Sequence, residues 1–433
     1  MLVPQGRRTT SLSGNTRTTD WLRSRAFADF ALPAISALLL CNLPFANAQM
    51  ALTGSGPGMA VRIFNTDMSV LEAGEPRKDL PCSVVSDKPV LGFDLRFHAG
   101  YEVSIPLKEL AGSENTLTIL FRVTPDDHKD EPLYFTQRVR VPSIEEDSKG
   151  DAYLQGNFDL GEGKYHVDWL MRDRSERVCS SYWDMDSTLG PKDRDISVVL
   201  PPDSIRVADR EQFKEEPPVM RASAEAPLNV KVLINFAPQN SNSATLQPLD
   251  TSALVSILRS ISRDPRIGKF TVVAFNLQEQ KVIYRADNEE KIDFPAIGDA
   301  LTSLNLGTVD LKRLSEKHGD TRFLSELIRR EVPGGKDAPD AVVFAGPKAL
   351  LEENVPQDTL KEIGSVQYPV FYMNYNLYPQ QVPWNDSISK AVKYFKGTEY
   401  TISKPRDLWY AVSEMVSRIV KLKHGRTASP QSE

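Results

Sequence analysis

The pattern of apolar and polar positions divides the chain into two parts with different periods. Between residues 59 and 200, short segments alternate apolar and polar residues and are separated by turn residues. Alternation of this kind is typical of β-strands that bury one face. From Asn229 onward, unbroken apolar runs alternate with stretches whose apolar residues recur every three or four positions, which is typical of buried strands and their covering helices. The sequence therefore predicts an all-β domain followed by an α/β domain.

Residues 59–200 are predicted to form an antiparallel β-sandwich of about seven strands. The clearest strand follows the turn at Gly161–Gly163, because Tyr165, Val167 and Trp169 would then share one face. In its strand pattern this part resembles immunoglobulin-like and fibronectin-like sandwiches, although the Cys–Trp–Cys spacing of antibody domains is absent. The predicted strands are Met59–Phe64, Val90–Phe97, Leu117–Val123, Leu133–Val141, Tyr153–Leu160, Gly163–Arg172 and Ile196–Leu200.

Residues 201–228 separate the two parts and are rich in proline and charge. Pro201 and Pro202 open the segment, and Pro217 and Pro218 follow a pair of glutamates. Proline stiffens a chain and charged side chains favour solvent. The sequence therefore predicts a semi-extended linker between two domains.

Residues 229–424 are predicted to form a mostly parallel, Rossmann-like sheet with helices on both faces. One pair of strands must be antiparallel, because only Gln278–Gln280 separates Phe270–Leu277 from Lys281–Arg285. The other predicted strands are Val230–Phe236, Ala341–Ala345 and Val370–Asn374. The predicted helices are Asp250–Ser262, capped by Asp250, Thr251 and Ser252, then Phe294–Leu304, Val309–Glu331, Ser387–Phe395 and Asp407–Lys421.

The stretch Asn229–Gln239, with the sequence NVKVLINFAPQ, reads as a buried strand that ends in a polar turn before a helix. In the order of this strand, the helix and the antiparallel hairpin, residues 230–421 resemble the von Willebrand factor A domain. The resemblance implies a metal-ion-dependent adhesion site above the sheet. In that family the ligands are an Asp-x-Ser-x-Ser motif after the first strand, a Thr in a later loop and an Asp after the fourth strand.

This chain departs from that ligand set at most positions. Asn235, Ala237 and Gln239 stand where the family has Asp, Ser and Ser, and Thr308 could stand for the family's Thr. The fourth predicted strand runs into Phe344–Pro347, which contains no Asp. Magnesium at such a site needs carboxylate and hydroxyl oxygens. The sequence therefore predicts a degenerate adhesion site without a metal, and a protein that uses no cofactor.

Aromatic and amide residues crowd the end of the fifth predicted strand and the loop after it. Tyr372, Asn374, Tyr375 and Trp384 are the candidate interface residues of this cluster. Such side chains are common at polar protein interfaces, because they offer contact area with little loss of entropy. A long loop folded onto its own domain would have the same composition, so both interpretations remain open.

The N-terminal segment has the features of a secretory signal peptide. Arginines precede the short apolar run Phe30–Phe45, and Ala46-Asn47-Ala48 forms a cleavage site with small residues. Pro33, Asn42 and Pro44 interrupt the run, which is too short to cross a membrane. We therefore expect residues 1–48 to be a signal peptide, no transmembrane segment after its cleavage, and a secreted or periplasmic protein of the cell envelope.

Cleavage at that site would leave two cysteines, Cys82 and Cys179. In an exported chain, two cysteines far apart in sequence are good candidates for a disulfide. Two separate buried thiols are the alternative.

The formal net charge of −6 argues against nucleic acid and anionic membrane surfaces as partners. No metalloprotease, CxxC, serine-hydrolase, P-loop or dinucleotide motif occurs in the sequence. The leading hypothesis is therefore a non-enzymatic protein-binding or adhesion-type module with a protein partner. The alternatives are a secreted hydrolase with an unrecognised site and a structural subunit of an envelope assembly.

Overall fold

The computed structural model describes residues 49–52, 63–208, 211–221, 227–240, 243, 245–302, 318–333, 338–351, 353–377 and 385–427. It contains antiparallel sheets in the first part and a mixed, mostly parallel sheet with helices in the second, which confirms the predicted fold class. The predicted signal peptide lies outside the described residues. Within the described ranges, no helix combines the length and apolarity needed to cross a membrane.

The described strands and helices follow one another along the chain in two blocks, strands first. The strands are β1 (Gln49–Leu52), β2 (Ser83–Leu91), β3 (Phe97–Pro106), β4 (Asn115–Pro125), β5 (Leu133–Val141), β6 (Asp151–Leu160), β7 (Lys164–Arg172), β8 (Val178–Asp186), β9 (Ile205–Val207), β10 (Leu228–Asn235), β11 (Ile267–Asn276), β12 (Lys281–Glu289), β13 (Ala341–Pro347), β14 (Val370–Tyr375) and β15 (Thr398–Ile402). The helices are α1 (Asn65–Ala73), α2 (Pro248–Ser262), α3 (Phe294–Thr302), α4 (Gly319–Glu331), α5 (Gln357–Ile363), α6 (Ser387–Tyr394) and α7 (Pro405–Thr427).

The first part is a sandwich of two antiparallel sheets. One sheet has the order β1-β5-β4-β7-β8 and the other has the order β2-β3-β6-β9. Buried aromatic rings join them: Tyr101 on β3 meets Phe121 on β4 edge to face, with ring centroids 5.4 Å apart. The indole of Trp169 on β7 lies at the same distance from Tyr101. Aromatic pairs in this geometry add to the hydrophobic contribution of the core.

The sequence pattern placed two elements of this sandwich wrongly. Val90–Phe97 is not one strand, because the chain turns at Gly92–Arg96 and passes through a left-handed residue, Leu95, at φ 61°. The apolar alternation continues through this turn because Phe93 packs against the core of the second part. Ile196–Leu200 forms no strand. Residues 59–62 of the predicted strand Met59–Phe64 lie outside the described residues, and Phe64 directly precedes helix α1.

Cys82 and Cys179 form the predicted disulfide, with their Cα atoms 6.3 Å apart. Cys82 directly precedes β2, and Cys179 lies on β8, so the bond ties the edge of one sheet to the edge of the other. The side chain of Cys179 is fully buried among the core residues of the sandwich.

The second part is a six-stranded sheet with the order β12-β11-β10-β13-β14-β15. All neighbouring strands are parallel except the edge pair β11 and β12, which confirms the predicted antiparallel hairpin. Helices α2, α3 and α7 cover one face, and α4, α5 and α6 cover the other. The pattern missed the short edge strand β15 and helix α5. It also placed the cap of α2 too late, because the helix begins at Pro248 and Gln247 and Asp250 form its capping box.

The segment predicted as a solvated linker is anchored to both parts where it is described. Strand β9 pairs with β6 and belongs to the sandwich. Further along, Glu216 accepts hydrogen bonds from Arg263 (2.7 Å) and lies 2.8 Å from the guanidinium of Arg259, both on or next to α2. The guanidinium of Arg221 donates to the carbonyl oxygens of Ser262 (3.2 Å) and Asp264 (3.0 Å). The charges that suggested solvent exposure are therefore paired with helix α2 and its carboxyl end.

The sandwich also contacts helix α7 directly. Arg406 in the first turn of α7 lies 3.3 Å from the carboxylate of Asp193, and the hydroxyl of Tyr410 donates to Asp195 at 3.2 Å. Both aspartates lie in the loop between β8 and β9. Together with Phe93 and the segment around Glu216, these contacts join the two parts through one face of the parallel sheet.

Removal of the disulfide should destabilise the fold. The double variant Cys82→Ala/Cys179→Ala is expected to lose about 2–5 kcal/mol of unfolding free energy, because the bond closes a loop across a sequence separation of 97 residues. Urea unfolding of the variant and of the wild type, each with and without reductant, measures this loss. Reductant should lower the midpoint of the wild type and leave the variant unchanged; equal wild-type midpoints with and without reductant would contradict the prediction.

A second prediction concerns His98, which lies between two carboxylates of the sandwich. Its ring nitrogens lie 2.8 Å from Asp159 and 3.0 Å from Asp94. Hydrogen bonds to Asp159 and then to Asp94 raise the pKa of His98 from 6.5 to about 10. The folded state thus holds a proton that the unfolded state releases above pH 6.5. The resulting stabilisation is complete below pH 6.5 and is lost as the pH rises towards about 10.

The difference in unfolding free energy between the wild type and His98→Gln should therefore shrink between pH 6.5 and pH 10. Urea unfolding at several pH values measures this difference, and His128→Gln is the matched control on an exposed histidine of the same domain. A difference that stays constant across this range would show that His98 gains no proton on folding.

Candidate functional site

The carboxyl edge of the six-stranded sheet is where this fold places ligands. After β10 the chain builds β11 and β12 on one side, and then continues with β13, β14 and β15 on the other. The strand order therefore reverses between β10 and β13, and the crevice at such a switch point is the usual ligand site of open α/β sheets. Asn235, Ala237 and Gln239, the residues at the family's ligand positions, lie at this crevice.

Asn235 ends β10 with its side chain turned inward. It is 1% exposed, and its Oδ1 accepts a hydrogen bond from the backbone amide of Leu277 at 3.0 Å. On the other side of the crevice, Gly346 on β13 has φ 149°, and a Cβ built there would lie 2.8 Å from the Cβ of Asn235. Only glycine permits this close approach, so the two strand ends close directly upon each other.

Gln239 connects the loop after β10 to the loop after β14. Its Oε1 accepts from the backbone amide of Leu377 at 2.7 Å, and its Nε2 donates to Oδ1 of Asn376 at 3.2 Å. Beside it, the hydroxyl of Tyr375 donates to the carbonyl oxygen of Ala237 at 3.0 Å. The side chains at and around the switch point are therefore engaged in bonds within the chain.

A buried carboxylate lies behind this loop. Asp250, in the first turn of α2, is 1% exposed and accepts a hydrogen bond from the backbone amide of Gln247 at 3.1 Å. Burial raises its pKa, and hydrogen bonds from the backbone amides of Gln247 and Gln239 lower it by less. Asp250 thus belongs to the network that closes the loop after β10.

The structure shows where most of the predicted ligand positions of the adhesion site lie. Asn235, Ala237 and Gln239 do come together at the switch point, but Asn235 and Gln239 direct their polar atoms to backbone and side-chain groups of the chain. Thr308 lies outside the described residues. Within the part of the chain that the structure describes, no group of three or more His, Cys, Asp or Glu side chains could hold a metal ion.

The residues predicted as an interface are buried. Tyr372 and Asn374 are each 0% exposed, and Tyr375 is 1% exposed. The hydroxyl of Tyr372 donates to the carbonyl oxygen of Pro347 at 2.9 Å. These three side chains therefore pack inside the domain, whereas residues 378–384 of the loop that follows lie outside the described residues. Trp384 lies outside the described residues.

A second set of polar residues lies beside the switch point, between the end of β14, strand β15 and the start of α6. We call Asn374, Asn385, Asp386, Ser389 and Glu399 the Asp386 cluster. Nδ2 of Asn374 donates to Oε1 of Glu399 at 2.8 Å, and the hydroxyl of Ser389 donates to Oε2 of Glu399 at 2.6 Å. Oδ1 of Asp386 accepts from the backbone amide of Ser389 at 3.4 Å. The hydrogen bonds therefore link four of the five residues in one chain.

Asp386 caps helix α6 from a buried position. Its Oδ1 also accepts from the amides of Ile388 at 3.1 Å and Ala349 at 3.2 Å, while its Oδ2 has no hydrogen-bond partner. Burial raises the pKa of Asp386 to about 6, and the negative charge of Glu399 contributes to the rise. The sequence signal for this residue was only that of a helix cap, because its burial depends on strands far away in the chain.

Substitution of Gln239 should destabilise the connection between the two loops at the switch point. Gln239→Ala removes the acceptor of the Leu377 amide and the donor to Asn376, and we expect a loss of about 1–3 kcal/mol in unfolding free energy because a partly buried amide is left without a partner. Urea unfolding gives the value.

The matched control is Gln212→Ala, which removes one exposed hydrogen bond to the carbonyl oxygen of Pro248 and should cost less than about 0.5 kcal/mol. Equal losses in the two variants would show that Gln239 does not hold the two loops together.

Comparison with known proteins gives no family for this chain. The sequence matches no family model and no curated protein. Among solved structures, the ArnB paralog VWA2 from Sulfolobus acidocaldarius is 11% identical, with 59% of this chain and 51% of that chain covered and a TM-score of 0.25. The PilB minor pilin from Streptococcus sanguinis is 8% identical, with 72% of this chain and 88% of that chain covered and a TM-score of 0.26. Likenesses with scores this low carry no weight for function.

Proposed function

We propose that this chain is an exported, non-enzymatic protein-binding module of the cell envelope, of the adhesion or assembly type. The observation that carries the proposal is the closed switch point, where Asn235 and Gln239 bond to groups of the chain itself. In an A-domain-like fold these positions would otherwise hold the adhesion metal. Because Asn235 and Gln239 are engaged within the chain, we place the partner elsewhere on the molecule.

The disulfide supports an oxidising compartment. Disulfides persist in secreted and periplasmic proteins and are rare in the cytosol. The bond between Cys82 and Cys179 joins the two sheets of the sandwich and fits a protein that is exported before it folds. The signal peptide and its cleavage after Ala48 stay predictions.

The outer face of the β2-β3-β6-β9 sheet is the surface best suited to a partner. Val85 and Val90 on β2 are 59% and 64% exposed, and Tyr153 on β6 is 59% exposed. Polar side chains lie between them: Nε2 of Gln155 donates to Glu102 at 3.0 Å on the same face. Exposed apolar side chains among polar neighbours are the composition of a transient protein interface.

Strand β2 forms the edge of this sheet and discourages the addition of a further strand. Lys88 and Pro89 lie within it, and its pairing with β3 shifts register between Asp87 and Val90. Charge, proline and bulges are the devices by which edge strands avoid pairing with other chains. The proposed partner therefore contacts the side chains of the outer face and does not extend the sheet. This surface suits the role of a structural subunit that docks through its sandwich.

A photo-crosslinking amino acid at position 153 should capture a protein partner in cells that produce the full chain. Tyr394 on α6 is the matched control, because it is also an exposed tyrosine but lies on the other domain. Val85→Thr/Val90→Thr should reduce the yield at position 153 by about tenfold, if the two valines together contribute about 1.4 kcal/mol to binding. Products that form equally from positions 153 and 394, or that survive the double substitution, would exclude this face.

A further inference from the structure

Three buried oxygens of the Asp386 cluster have no hydrogen-bond partner. They are Oδ1 of Asn374, Oδ1 of Asn385 and Oδ2 of Asp386. Buried polar atoms in proteins are almost always bonded, so orphaned oxygens on three residues of this cluster need a physical explanation. All three are acceptors, and the missing partner must therefore be a donor or a cation.

The orientation of these oxygens follows from the bonds that surround them. Nδ2 of Asn374 donates to the carboxylate of Glu399, so exchange of the amide nitrogen and oxygen would set two acceptors against each other. Oδ1 of Asp386 is held by three backbone amides, which leaves Oδ2 as the open oxygen of that carboxylate. The hydroxyl of Tyr372 also lies within hydrogen-bond reach of the Asp386 carboxylate, but its single proton goes to the carbonyl oxygen of Pro347, so it gives Oδ2 no donor. Asn374 is 0% exposed and Asp386 is 7% exposed, so two buried side chains present open oxygens that rotation cannot easily satisfy.

The charge balance of the cluster also favours a cation as the missing partner. Asp386 and Glu399 bring two carboxylates to the end of the sheet. The one cation paired with them in the described structure is Lys393, whose Nζ lies 3.5 Å from Glu399 and whose side chain is 68% exposed. An exposed ammonium compensates a buried carboxylate poorly, because water screens it. Of the two carboxylates, Asp386 is buried and Glu399 is 20% exposed, so the site carries an excess of partly buried negative charge.

We propose that the Asp386 cluster binds one divalent cation of the calcium or magnesium type. Oδ2 of Asp386 and Oδ1 of Asn374 are the protein ligands, and Oδ1 of Asn385 contributes a third oxygen. Carboxylate and amide oxygens are the ligands that these hard cations prefer, and water supplies the rest of the shell. Glu399 acts as a positioning residue, because it holds the amide of Asn374. The site lies on α6 and β14, away from the loop after β10, and uses none of the family's ligand positions.

Mn²⁺ serves as the spectroscopic probe for this site. Electron paramagnetic resonance titration of the full chain with Mn²⁺ should show one bound ion, which Ca²⁺ or Mg²⁺ displaces. Asp386→Asn should weaken binding by about tenfold or more, because it removes the ligand charge while an Asn can still cap the helix. Asn385→Ala, at a half-buried position, should weaken binding without disturbing the fold, which the circular dichroism spectrum and the unfolding midpoint monitor.

Asp250→Asn is the matched control. Asp250 is also buried at the carboxyl edge and also has an oxygen without a partner, but it lies on the other face of the sheet. Binding should persist in this variant. The proposal is overturned if the wild type binds no Mn²⁺ at millimolar concentration. That result is expected if ordered water alone satisfies the three oxygens. It is also overturned if Asp250→Asn abolishes binding, or if both Asp386→Asn and Asn385→Ala leave it unchanged.

Discussion

Helices cover both faces of the parallel sheet in the second part, so its central strands are buried. This burial constrains the polar groups of the loops at the carboxyl edge of the sheet. Strands β10, β13 and β14 are buried along almost their whole length. The loops that leave them must therefore satisfy their polar groups within the chain, since an unsatisfied buried group costs about 1–3 kcal/mol. At the switch point Gln239 meets this requirement by bonding two loops together. These bonds lie at the switch point, where open α/β sheets usually bind their ligands.

The same constraint explains why the loop after β10 and the Asp386 cluster differ in how fully their polar atoms are bonded. Around the loop after β10, a glycine at 346 lets the neighbouring strand approach Asn235, and each amide of Asn235 and Gln239 that faces the interior finds a partner. In the Asp386 cluster the donors are too few for the acceptors, and three oxygens remain open. Closure at one place and an excess of oxygens at the other are the physical basis for locating a cation beside the switch point.

Sequence periodicity predicted the elements whose own burial sets their pattern. Strand β10 and the β11–β12 hairpin were predicted because their apolar runs and short connection are local signals. The turn at Gly92–Arg96 was missed because Phe93 is buried by the other domain, so the apolar alternation continued where the strand did not. Residues 201–228 were predicted to be a linker because their composition suggests solvent, whereas Glu216 is paired with arginines of helix α2 and its carboxyl end.

The candidate site was predictable only in part, for the same reason. The loop of Asn235 and Gln239 lies at the sheet edge, and this position could be predicted because the place of a loop after a first strand follows from topology. The bonds that close it come from Leu277, Asn376 and Leu377, up to 138 residues away, and no local pattern encodes them. Asp386 likewise reads as an ordinary helix cap until β14 and β15 surround it.

Strand β14 connects the Asp386 cluster to the loop after β10. Its successive side chains point to opposite faces, as the period of a strand requires. Asn374 reaches Glu399 in the Asp386 cluster, while Tyr375 reaches the carbonyl oxygen of Ala237 on the face that the sandwich and helix α7 contact. A shift at the end of β14 would therefore disturb both sets of bonds together. Occupation of the Asp386 cluster would hold this strand end in place and so support the closed loop after β10, on the face through which the two parts are joined.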